Sequence, residues 1–422
     1  MHPVVVACTE DEAAKAGPVA LRAFEESRAK GWPFLSDVLE RLLRDVDEVD
    51  RGAATALTQA LVKYDRLLGF ACGSPDAQAR LDALLGLARG ETHLEPRLAR
   101  IDDRIERLGT AYSFPDWLVS LLRDELGDAA LEPALARMNG VAPRVVRVNA
   151  LKTTREECLR ALAEEGVDVR PTARAPWGVA IDGRRSPFRT QSFAAGDFEM
   201  QDEASQIVAE LVAPPPGSRV VDACAGAGGK TLALAAQLRG KGRLLAIDAS
   251  DVKLATLKRR AARAGASNIR PMTADLLAQD EGLAAFEGQA ARVLLDAPCS
   301  GLGALRRNPE ARWRLRPDDL PRLARAQQEL ARAAARWVSP GGRLVYAVCS
   351  FLPSEGERAV QEFVGRKGWV AVTARDVLGR ARTEGLTDDA GRCLRTWRFD
   401  GRPDGGDDGM DGFFAAVFRR AR

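Results

Sequence analysis

The pattern of apolar and polar positions changes twice along the chain. Residues 1–112 carry apolar side chains at three- and four-residue spacing, and this period predicts helices. From Arg144 onwards, short apolar runs alternate with Gly and Pro turns, which predicts a small α+β module over residues 113–200. Within residues 201–422, strands and helices alternate, as in a parallel sheet covered by helices. The pattern therefore predicts an α/β protein with an all-helical N-terminal domain.

Six strands are predicted in the third region, and their positions decide which side chains can meet. They cover residues 219–222, 243–248, 269–273, 292–296, 343–349 and 412–418. In an open α/β sheet, ligands bind beyond the carboxyl ends of the strands. The side chains that follow these strands are therefore the candidates for a functional site.

Capping residues predict two helix starts. Thr154, followed three residues later by Glu157, indicates a capping box. Ser113 is predicted to cap a second helix that begins at Pro115. The stretch from Asp376 to Met410 is poor in apolar residues, and it is predicted to be a long surface excursion.

Composition narrows the chemistry that the chain can perform. The net charge of +3 is mildly basic, which permits a nucleic-acid partner without demanding one. Seven scattered cysteines without a CxxC pair argue against a disulfide framework and a zinc site, and they indicate a reducing cytoplasm. No apolar run approaches the roughly 20 residues of a membrane helix. His2 and His93 are the only histidines, so the C-terminal half cannot form a Ser-His-Asp triad.

A glycine-rich turn at residues 222–231, the cofactor loop, follows the first predicted strand. Its glycines allow close approach of a ligand, and the helix that follows favours an anionic group at its start. Cys224 stands where a P-loop needs its first glycine, and Thr231 breaks the dinucleotide pattern. Asp248 would accept from ribose hydroxyls, and Asp275 would accept from an adenine amino group. Together they suggest S-adenosyl-L-methionine; a generic nucleotide fold with surface acids is the alternative.

Two cysteines and one acid follow apolar strands further along. Asp296 and Cys299 stand in Asp-Ala-Pro-Cys, and Cys349 closes the next strand. A thiolate that adds to C6 of a pyrimidine makes C5 nucleophilic enough to take a methyl group. A carboxyl group at N3 would stabilise charge on the ring, and a further group must remove the C5 proton. These three residues match that set, and inert packing is the competing interpretation. The cysteines interpreted as packing residues are Cys8, Cys72, Cys158 and Cys393.

The segment after Cys299 interleaves arginines with a tryptophan over residues 301–314. This composition suits contact with a nucleic-acid backbone and with a stacked base. A solvated, flexible arginine loop is an equally good interpretation of the same composition.

These motifs resemble those of the Sun/Fmu family of RNA cytosine-5 methyltransferases, and most closely its RsmB-type bacterial members. The resemblance rests on five stretches spread over most of the chain, residues 147–152, 201–205, 296–301, 346–350 and 411–414. It implies a Rossmann-like class I methyltransferase domain at residues 201–422, S-adenosyl-L-methionine as cofactor, and RNA, in particular ribosomal RNA, as partner. It also implies that residues 113–200 bind RNA. Residues 50–57 faintly resemble the NusB-like helical domain of RsmB-type proteins.

The resemblance also implies roles for single residues. Cys349 is implied to be the nucleophile, Cys299 to assist product release, and Asp296 to contact the cytosine. The residues implied for the cofactor pocket are Cys224, Ala225, Gly226, Ala227, Gly228, Gly229, Lys230, Asp248, Asp275 and Asp296. No metal ion is implied.

The sequence departs from the family pattern in two motifs. Gly226 and Ala227 stand where the family has Ala-Pro, and loss of the proline is expected to loosen the cofactor loop. Val348 replaces a threonine whose hydroxyl group would position the thiol of the nucleophile. These departures favour the alternative of a non-catalytic, RNA-binding ribosome assembly factor. DNA cytosine methylation, with Cys299 as nucleophile, and small-molecule methylation are further alternatives, although the long N-terminal region argues against a small substrate.

Overall fold

The computed structural model describes residues 4–6, 8–44, 46–183, 185–278, 281–284, 286–388, 390–399 and 409–422. Its contacts divide the chain into two units. The helical unit consists chiefly of Met1–Val141 and Ser300–Leu320, and the sheet unit chiefly of Ala142–Cys299, Pro321–Arg398 and the C-terminal residues. The domain boundaries near residues 112 and 200 stay predictions.

Helices and strands follow one another in three stretches. The first contains α1 (Glu10–Ala29), α2 (Leu35–Leu42), α3 (Glu48–Lys63), α4 (Asp65–Cys72), α5 (Ala77–Ala88), α6 (Glu95–Leu98), α7 (Arg104–Tyr112), α8 (Asp116–Leu126) and α9 (Asp128–Asn139). The second contains β1 (Arg144–Val148), α10 (Arg155–Glu164), β2 (Val169–Pro171), β3 (Gly178–Ile181), α11 (Gln191–Ala195) and β4 (Phe198–Met200).

The third stretch alternates strands with helices. It contains α12 (Glu203–Val212), β5 (Arg219–Asp222), α13 (Gly229–Gln237), β6 (Arg243–Asp248), α14 (Asp251–Ala264), β7 (Ile269–Thr273), α15 (Glu281–Ala284), β8 (Ala290–Asp296), α16 (Ala311–Arg314), α17 (Asp319–Ala335), β9 (Val338–Val348), α18 (Glu357–Val360), β10 (Trp369–Val372), α19 (Ala374–Leu378), α20 (Arg380–Thr383), β11 (Leu394–Arg395) and β12 (Phe414–Arg420). Strands at 219–222, 243–248 and 269–273 are confirmed as predicted. The strand at 292–296 begins two residues earlier, and the last two strands are displaced or lengthened at their ends.

The predicted cap at Ser113 is wrong, because this serine ends one helix instead of beginning the next. Ser113 lies after α7 in the left-handed conformation, at φ 60°, whereas α8 follows Pro115. Its hydroxyl oxygen accepts from the backbone N–H groups of Arg66 and Leu67 at 3.1 and 3.4 Å. A tertiary contact with the start of α4 therefore outweighs the local preference of serine for helix starts.

The arginine-rich segment that the sequence left open packs inside the helical unit. Arg312 is 0% exposed, and its guanidinium donates to the backbone oxygens of Lys63 and Ser113 and to Oδ1 of Asn139 at 3.3, 3.1 and 2.8 Å. The same group lies 4.1 Å from the centre of the Phe114 ring. Both interpretations, a nucleic-acid contact and a solvated loop, are therefore wrong for this arginine.

The second stretch of the chain folds as a βαββαβ module with a four-stranded antiparallel sheet. Its strand order is β2-β3-β1-β4, which is the ferredoxin-like arrangement. The helix α10 begins at the predicted capping box. The Thr154 hydroxyl accepts from the Glu157 N–H at 3.2 Å, and the Glu157 carboxylate accepts from the Thr154 N–H at 2.9 Å. This helix start is therefore confirmed.

Side chains of the ferredoxin-like module bind α13, which follows the cofactor loop, and α14, which follows the next strand. Arg147 of β1 donates to the backbone oxygen of Gly229, at the start of α13, at 2.7 Å. Glu199 of β4 is 4% exposed, and it pairs with Arg260 at 3.0 Å and with Arg263, both on α14. These buried polar contacts hold the module against two helices of the large sheet in the same unit.

The large sheet places the cofactor loop where its strand order reverses. The order is β10-β12-β9-β8-β5-β6-β7, and β11 pairs with β12. Strands β5 to β9 run parallel to one another, whereas β12 is antiparallel to β9 and β10. The chain runs outwards from β5 to β7 and then returns to β8 beside β5. A crevice at such a switch point is the usual ligand site of an open α/β sheet.

The predicted surface excursion between Asp376 and Met410 is partly wrong. It contains α20 and β11, and Trp397 and Leu394 in it are 1% and 0% exposed. Trp397 Nε1 donates to the backbone oxygen of Met410 at 2.7 Å. Residues 389 and 400–408 of the excursion lie outside the described residues.

Candidate active site

Two cysteine thiols meet where the parallel strands β8 and β9 end. Asp296, the last residue of β8, pairs with Ala347 of β9. The backbone N–H of Ala297 donates to the Ala347 oxygen at 2.8 Å, which extends the pairing by one residue. Cys299 and Cys349 follow these strands, and their Sγ atoms lie 3.3 Å apart. The structure thus brings together the two cysteines that the sequence singled out.

The third candidate, Asp296, is held by a lysine from the cofactor loop. Nζ of Lys230 lies 2.6 Å from Oδ2 of Asp296, and it lies 4.8 Å from the centre of the Phe413 ring. The lysine side chain is 9% exposed and the aspartate side chain 29%. Lys230, expected among the cofactor residues, therefore directs its charge at the acid of the proposed chemistry, a pairing the sequence did not predict.

Lys230 keeps its proton at neutral pH. Burial by itself lowers the pKa of this ammonium group, but the charge of Asp296 and the hydrogen bond to it act in the opposite direction. Cys349 and Asp222 act in the same direction when they are ionised, and the net result is a raised pKa. A fixed positive charge therefore lies beside the carboxylate and near the thiols.

Val348 and Cys349 belong to opposite faces of the sheet. Val348 is 0% exposed in the core that also contains Tyr346, whereas Cys349 packs against the core that contains Ala347. Alternate residues of a strand point to opposite faces. A threonine hydroxyl at position 348 would thus face away from the thiol, so the expected loss of a positioning contact is not found.

Cys224 in the cofactor loop is a different kind of thiol. Burial raises its pKa far above the ordinary range, and the negative charges of Asp222 and Asp296 raise it further. Such a thiol stays protonated, so it is unsuited to act as a nucleophile. Burial likewise raises the pKa of Cys158 to about 12 and of Cys393 to about 11, as the packing interpretation expects.

The cofactor loop is held in place although it lacks the family's proline. The N–H of Gly226 donates to Oδ2 of Asp248 at 2.8 Å, and Arg260 donates to the backbone oxygen of Ala227 at 2.7 Å. Gly228 has φ +88°, and a Cβ there would collide with a leucine of α14. These contacts restrain the loop on both sides of the position where the family has its proline.

Asp222, the last residue of β5, is a pocket residue that the sequence reasoning missed. Its Oδ2 accepts from the Thr231 hydroxyl at 2.7 Å, whereas its buried Oδ1 has no hydrogen-bond partner among the described residues. Burial raises the pKa of Asp222 to about 7, against the Thr231 hydrogen bond and with the help of Asp296. A signal was available, because an acid also ends β6 and β8.

The acids at the strand ends fit S-adenosyl-L-methionine. The orphaned Oδ1 of Asp222 requires a donor, and the amino group of this cofactor can supply one. The Asp248 carboxylate accepts from the N–H of Gly226 in the cofactor loop and from the N–H of Ser250 at 2.9 Å. It retains lone pairs for ribose hydroxyls. Asp275 follows β7, the strand beside β6, and its side chain is exposed. An adenine amino group is expected there. The roles of Asp248 and Asp275 stay predictions.

Two broader features concern metals and membranes. The described part of the chain holds no group of three or more His, Cys, Asp or Glu side chains that could ligate a metal ion. Among the helices that can be described, none combines the length and the apolar character that a membrane span requires.

Family models match both parts of the sheet-containing region. The model for the 16S rRNA methyltransferase RsmB/F family matches residues 209–419, which is half of the chain. A second model, the ferredoxin-like domain of RsmF/B-like methyltransferases, matches residues 114–186.

Relatives of known name are ribosomal RNA methyltransferases. The probable ribosomal RNA small subunit methyltransferase B of Synechocystis is 33% identical over 324 residues, 76% of this chain and 70% of that protein. The protein of the same name from Bacillus subtilis is 34% identical over 270 residues, 64% of this chain and 60% of that protein.

Solved structures share the fold. The crystal structure of PH0851 has a TM-score of 0.76 at 26% identity, and the match covers 99% of this chain and 100% of that chain. A methyltransferase homolog protein from Pyrococcus horikoshii has a TM-score of 0.62 at 22% identity, over 76% of this chain and 100% of that chain, which shows the fold alone.

These matches confirm the predicted resemblance and the predicted fold class, a Rossmann-like methyltransferase domain after a helical region and a ferredoxin-like domain. They also assign the protein to the methyltransferases that use S-adenosyl-L-methionine. The chain belongs to the RsmB/F family of 16S rRNA methyltransferases.

Proposed function

We propose that this protein methylates C5 of a cytosine in small-subunit ribosomal RNA through a covalent bond from Cys349 to C6. The observation that carries the proposal is the 3.3 Å approach of the Cys299 and Cys349 sulfurs beside the Lys230–Asp296 pair. The names of the relatives support ribosomal RNA as the substrate. A ribosomal substrate places the reaction in the cytoplasm.

The first step forms the bond between Sγ of Cys349 and C6. The cytosine enters the crevice from a single strand or flipped out of a helix, because its edge must face the thiol. Attack by the thiolate moves the electron pair of the C5–C6 double bond onto C5 and the ring. The ammonium group of Lys230, held against Asp296, supplies a positive charge that stabilises this negative charge.

The later steps need a base beside C5. When bound, S-adenosyl-L-methionine supplies the methyl group that C5 accepts. Cys299 then takes the C5 proton, the C5–C6 double bond forms again, and the bond from C6 to Cys349 breaks. The two sulfurs are adjacent, as are the two ring carbons on which they act, so one cysteine for each carbon fits the geometry.

Trapping on RNA that contains 5-fluorocytidine tests this assignment. Fluorine at C5 cannot leave as a proton, so the bond from Cys349 to C6 persists after methylation. The wild-type protein and Cys299→Ser are expected to form an adduct that survives denaturing electrophoresis, whereas Cys349→Ser is expected to form none. Cys393→Ser, a matched control at a half-buried cysteine with a raised pKa, should behave as wild type.

Two other outcomes would replace the proposal. An adduct with Cys349→Ser but not with Cys299→Ser would assign the nucleophile to Cys299, as in DNA cytosine methylation. No adduct with any form of the protein, while calorimetry still detects cofactor binding, would favour the non-catalytic assembly factor. The contacts that hold Ala227 and the orientation of Val348 weigh against the two sequence arguments for that alternative.

A further inference from the structure

A second cavity of the sheet unit lies on the far side of Arg147, whose guanidinium also contacts Gly229 of the cofactor loop. It encloses about 530 Å³, a volume typical of small-ligand sites, and it is lined by Arg147, Trp177, Glu210, Ala233, Ala236 and Arg239, among others. It lies against the second half of α13, whereas the cofactor loop meets the first residue of that helix. Gln237, which also lines the cavity, is about 12 Å along the helix axis from Gly229.

The most buried polar group of the cavity is a guanidinium with donor capacity left over. Arg147 is 5% exposed, and one of its terminal nitrogens donates to the oxygens of Gly229 and Gln201. Its other terminal nitrogen, unlike the buried Nε, is accessible and makes no hydrogen bond among the described residues. This side of the cavity therefore suits a ligand that offers acceptors.

Another polar side chain of the cavity offers only acceptors. Burial raises the pKa of the Glu210 carboxyl group, against the charges of Arg382 and Arg147. In the described structure, its side chain receives one long hydrogen bond, from Nε2 of Gln237 at 3.5 Å. An ionised carboxylate has two acceptor oxygens, so Glu210 suits a ligand with two adjacent N–H donors.

The remaining lining residues favour a flat ring attached to an anion. Trp177 presents an aromatic side chain, and Ala233 and Ala236 leave space along α13 because their side chains end at Cβ. Arg239 is exposed, and no ion pair to it is found among the described residues. A base can stack on the tryptophan, and a phosphate can reach the arginine.

We propose that this cavity binds the guanine base of a nucleotide. Guanine presents adjacent N1–H and N2–H donors on one edge, which match Glu210, and O6 and N7 acceptors on another, which match Arg147. Adenine has a single donor group beside the acceptor N1, so it leaves one carboxylate oxygen of Glu210 facing a lone pair. The inference is independent of the covalent mechanism, since none of the residues that carry it belongs to the thiol site.

Calorimetric titration of the full-length protein tests the proposal. S-adenosylhomocysteine is added at saturation to occupy the cofactor crevice, and GMP and AMP are titrated separately. GMP is expected to bind at least about 10-fold more tightly than AMP, as expected for a well-paired base. Glu210→Gln should abolish the preference for GMP, and Trp177→Leu should weaken both nucleotides. Glu164→Gln, at an exposed glutamate of α10, is the matched control and should bind as wild type.

Trinucleotides with central guanosine or adenosine distinguish an RNA residue from a free nucleotide. UGU binding more than about 10-fold tighter than GMP would identify the ligand as a guanosine of an RNA strand, and equal affinity would identify a free nucleotide. The proposal is overturned if neither GMP nor UGU binds, or if the guanine and adenine ligands bind alike. S-adenosylhomocysteine binding is measured in the same titrations, so failure of the cofactor site is recognised separately. Circular dichroism establishes that each variant is folded.

Discussion

The sulfur atoms of Cys299 and Cys349 lie 3.3 Å apart, at the ends of adjacent parallel strands. The pairing of β8 with β9 sets this distance, because each cysteine follows its strand by only a few residues. The lysine that pairs with Asp296 lies beside them. One short loop and two strand ends thus bring together two thiols and a charged pair.

Oxidation with diamide should join these two sulfurs. A disulfide requires a separation of about 2.05 Å, so the atoms need approach by only about 1.3 Å. Diamide takes up the two electrons and two protons that the thiols lose. We expect a cross-linked peptide containing Cys299 and Cys349 by mass spectrometry, with activity lost and then restored by dithiothreitol. Peptides that join either cysteine only to Cys393, or none at all, would contradict the geometry.

Replacing Lys230 should affect turnover more than cofactor binding. Lys230→Gln removes the charge beside Asp296, which we expect to lower kcat about 10²- to 10³-fold, as for loss of one charge-stabilising donor. The Kd for S-adenosylhomocysteine should change only a few-fold. Lys258→Gln, at an exposed lysine of α14, is the control. A large loss of cofactor binding with kcat preserved would return Lys230 to the role that the sequence implied.

Some of the fold could be predicted because it depends on local spacing. The strands at β5, β6 and β7 follow from short apolar runs between turns, and the capping box of α10 follows from Thr154 and Glu157. Ser113 was misinterpreted because its hydroxyl group binds the backbone of a helix 46 to 47 residues away in sequence. Arg312 was misinterpreted because its acceptors come from three distant segments that no local pattern reveals.

The candidate site was predictable to the same extent. Cys299, Cys349 and Asp296 end strands, and the rule for parallel sheets places strand ends together. The pairing of Lys230 with Asp296 spans 66 residues, and the sequence offers no signal for it. The buried oxygen of Asp222 becomes visible only when its neighbours are known.

Asp222 should make stability depend on pH in one direction. Its folded pKa is about 7, because of burial, whereas in the unfolded chain it returns to about 3.9. Between these values the folded chain keeps a proton that the unfolded chain has lost, so the free energy of unfolding falls as pH rises. Asparagine does not titrate, so the free energy of unfolding of Asp222→Asn should not fall with pH for this reason.

Urea denaturation at several pH values between about 4 and 7 measures the effect. The stability of Asp222→Asn relative to wild type should increase steadily over that range, and Asp318→Asn, at an exposed aspartate, should show no such trend. A constant difference between Asp222→Asn and wild type would mean that the carboxyl group titrates at the same pH in both states.

Arg312→Met should destabilise the helical unit. Three acceptors lose a donor, each at a cost of about 1–3 kcal/mol, and partial rearrangement leaves an expected loss of about 2–4 kcal/mol. Arg316→Met, at an exposed arginine of the same segment, should change stability by less than about 0.5 kcal/mol. Thermal or urea denaturation of the two variants gives the comparison, and equal losses would contradict the role of the buried guanidinium.

Arg312→Met should also raise the pKa of Lys63 and so change how stability depends on pH in alkaline solution. Burial and, to a smaller extent, the charge of Arg312 together lower the pKa of Lys63 to about 8. The unfolded chain therefore binds an extra proton above about pH 8, and stability rises with pH until about 10.4. In Arg312→Met this rise should be smaller, because one repelling charge is gone.

Bisulfite sequencing of 16S ribosomal RNA tests the central claim most directly, because 5-methylcytosine resists conversion. RNA is compared from cells with the gene, without it, and with the Cys349→Ser variant in its place. The account predicts one protected cytosine in the first case and none at that position in the other two. Protection that persists in the deletion strain, or a Cys349→Ser variant that restores it, would contradict covalent cytosine-5 methylation by this protein.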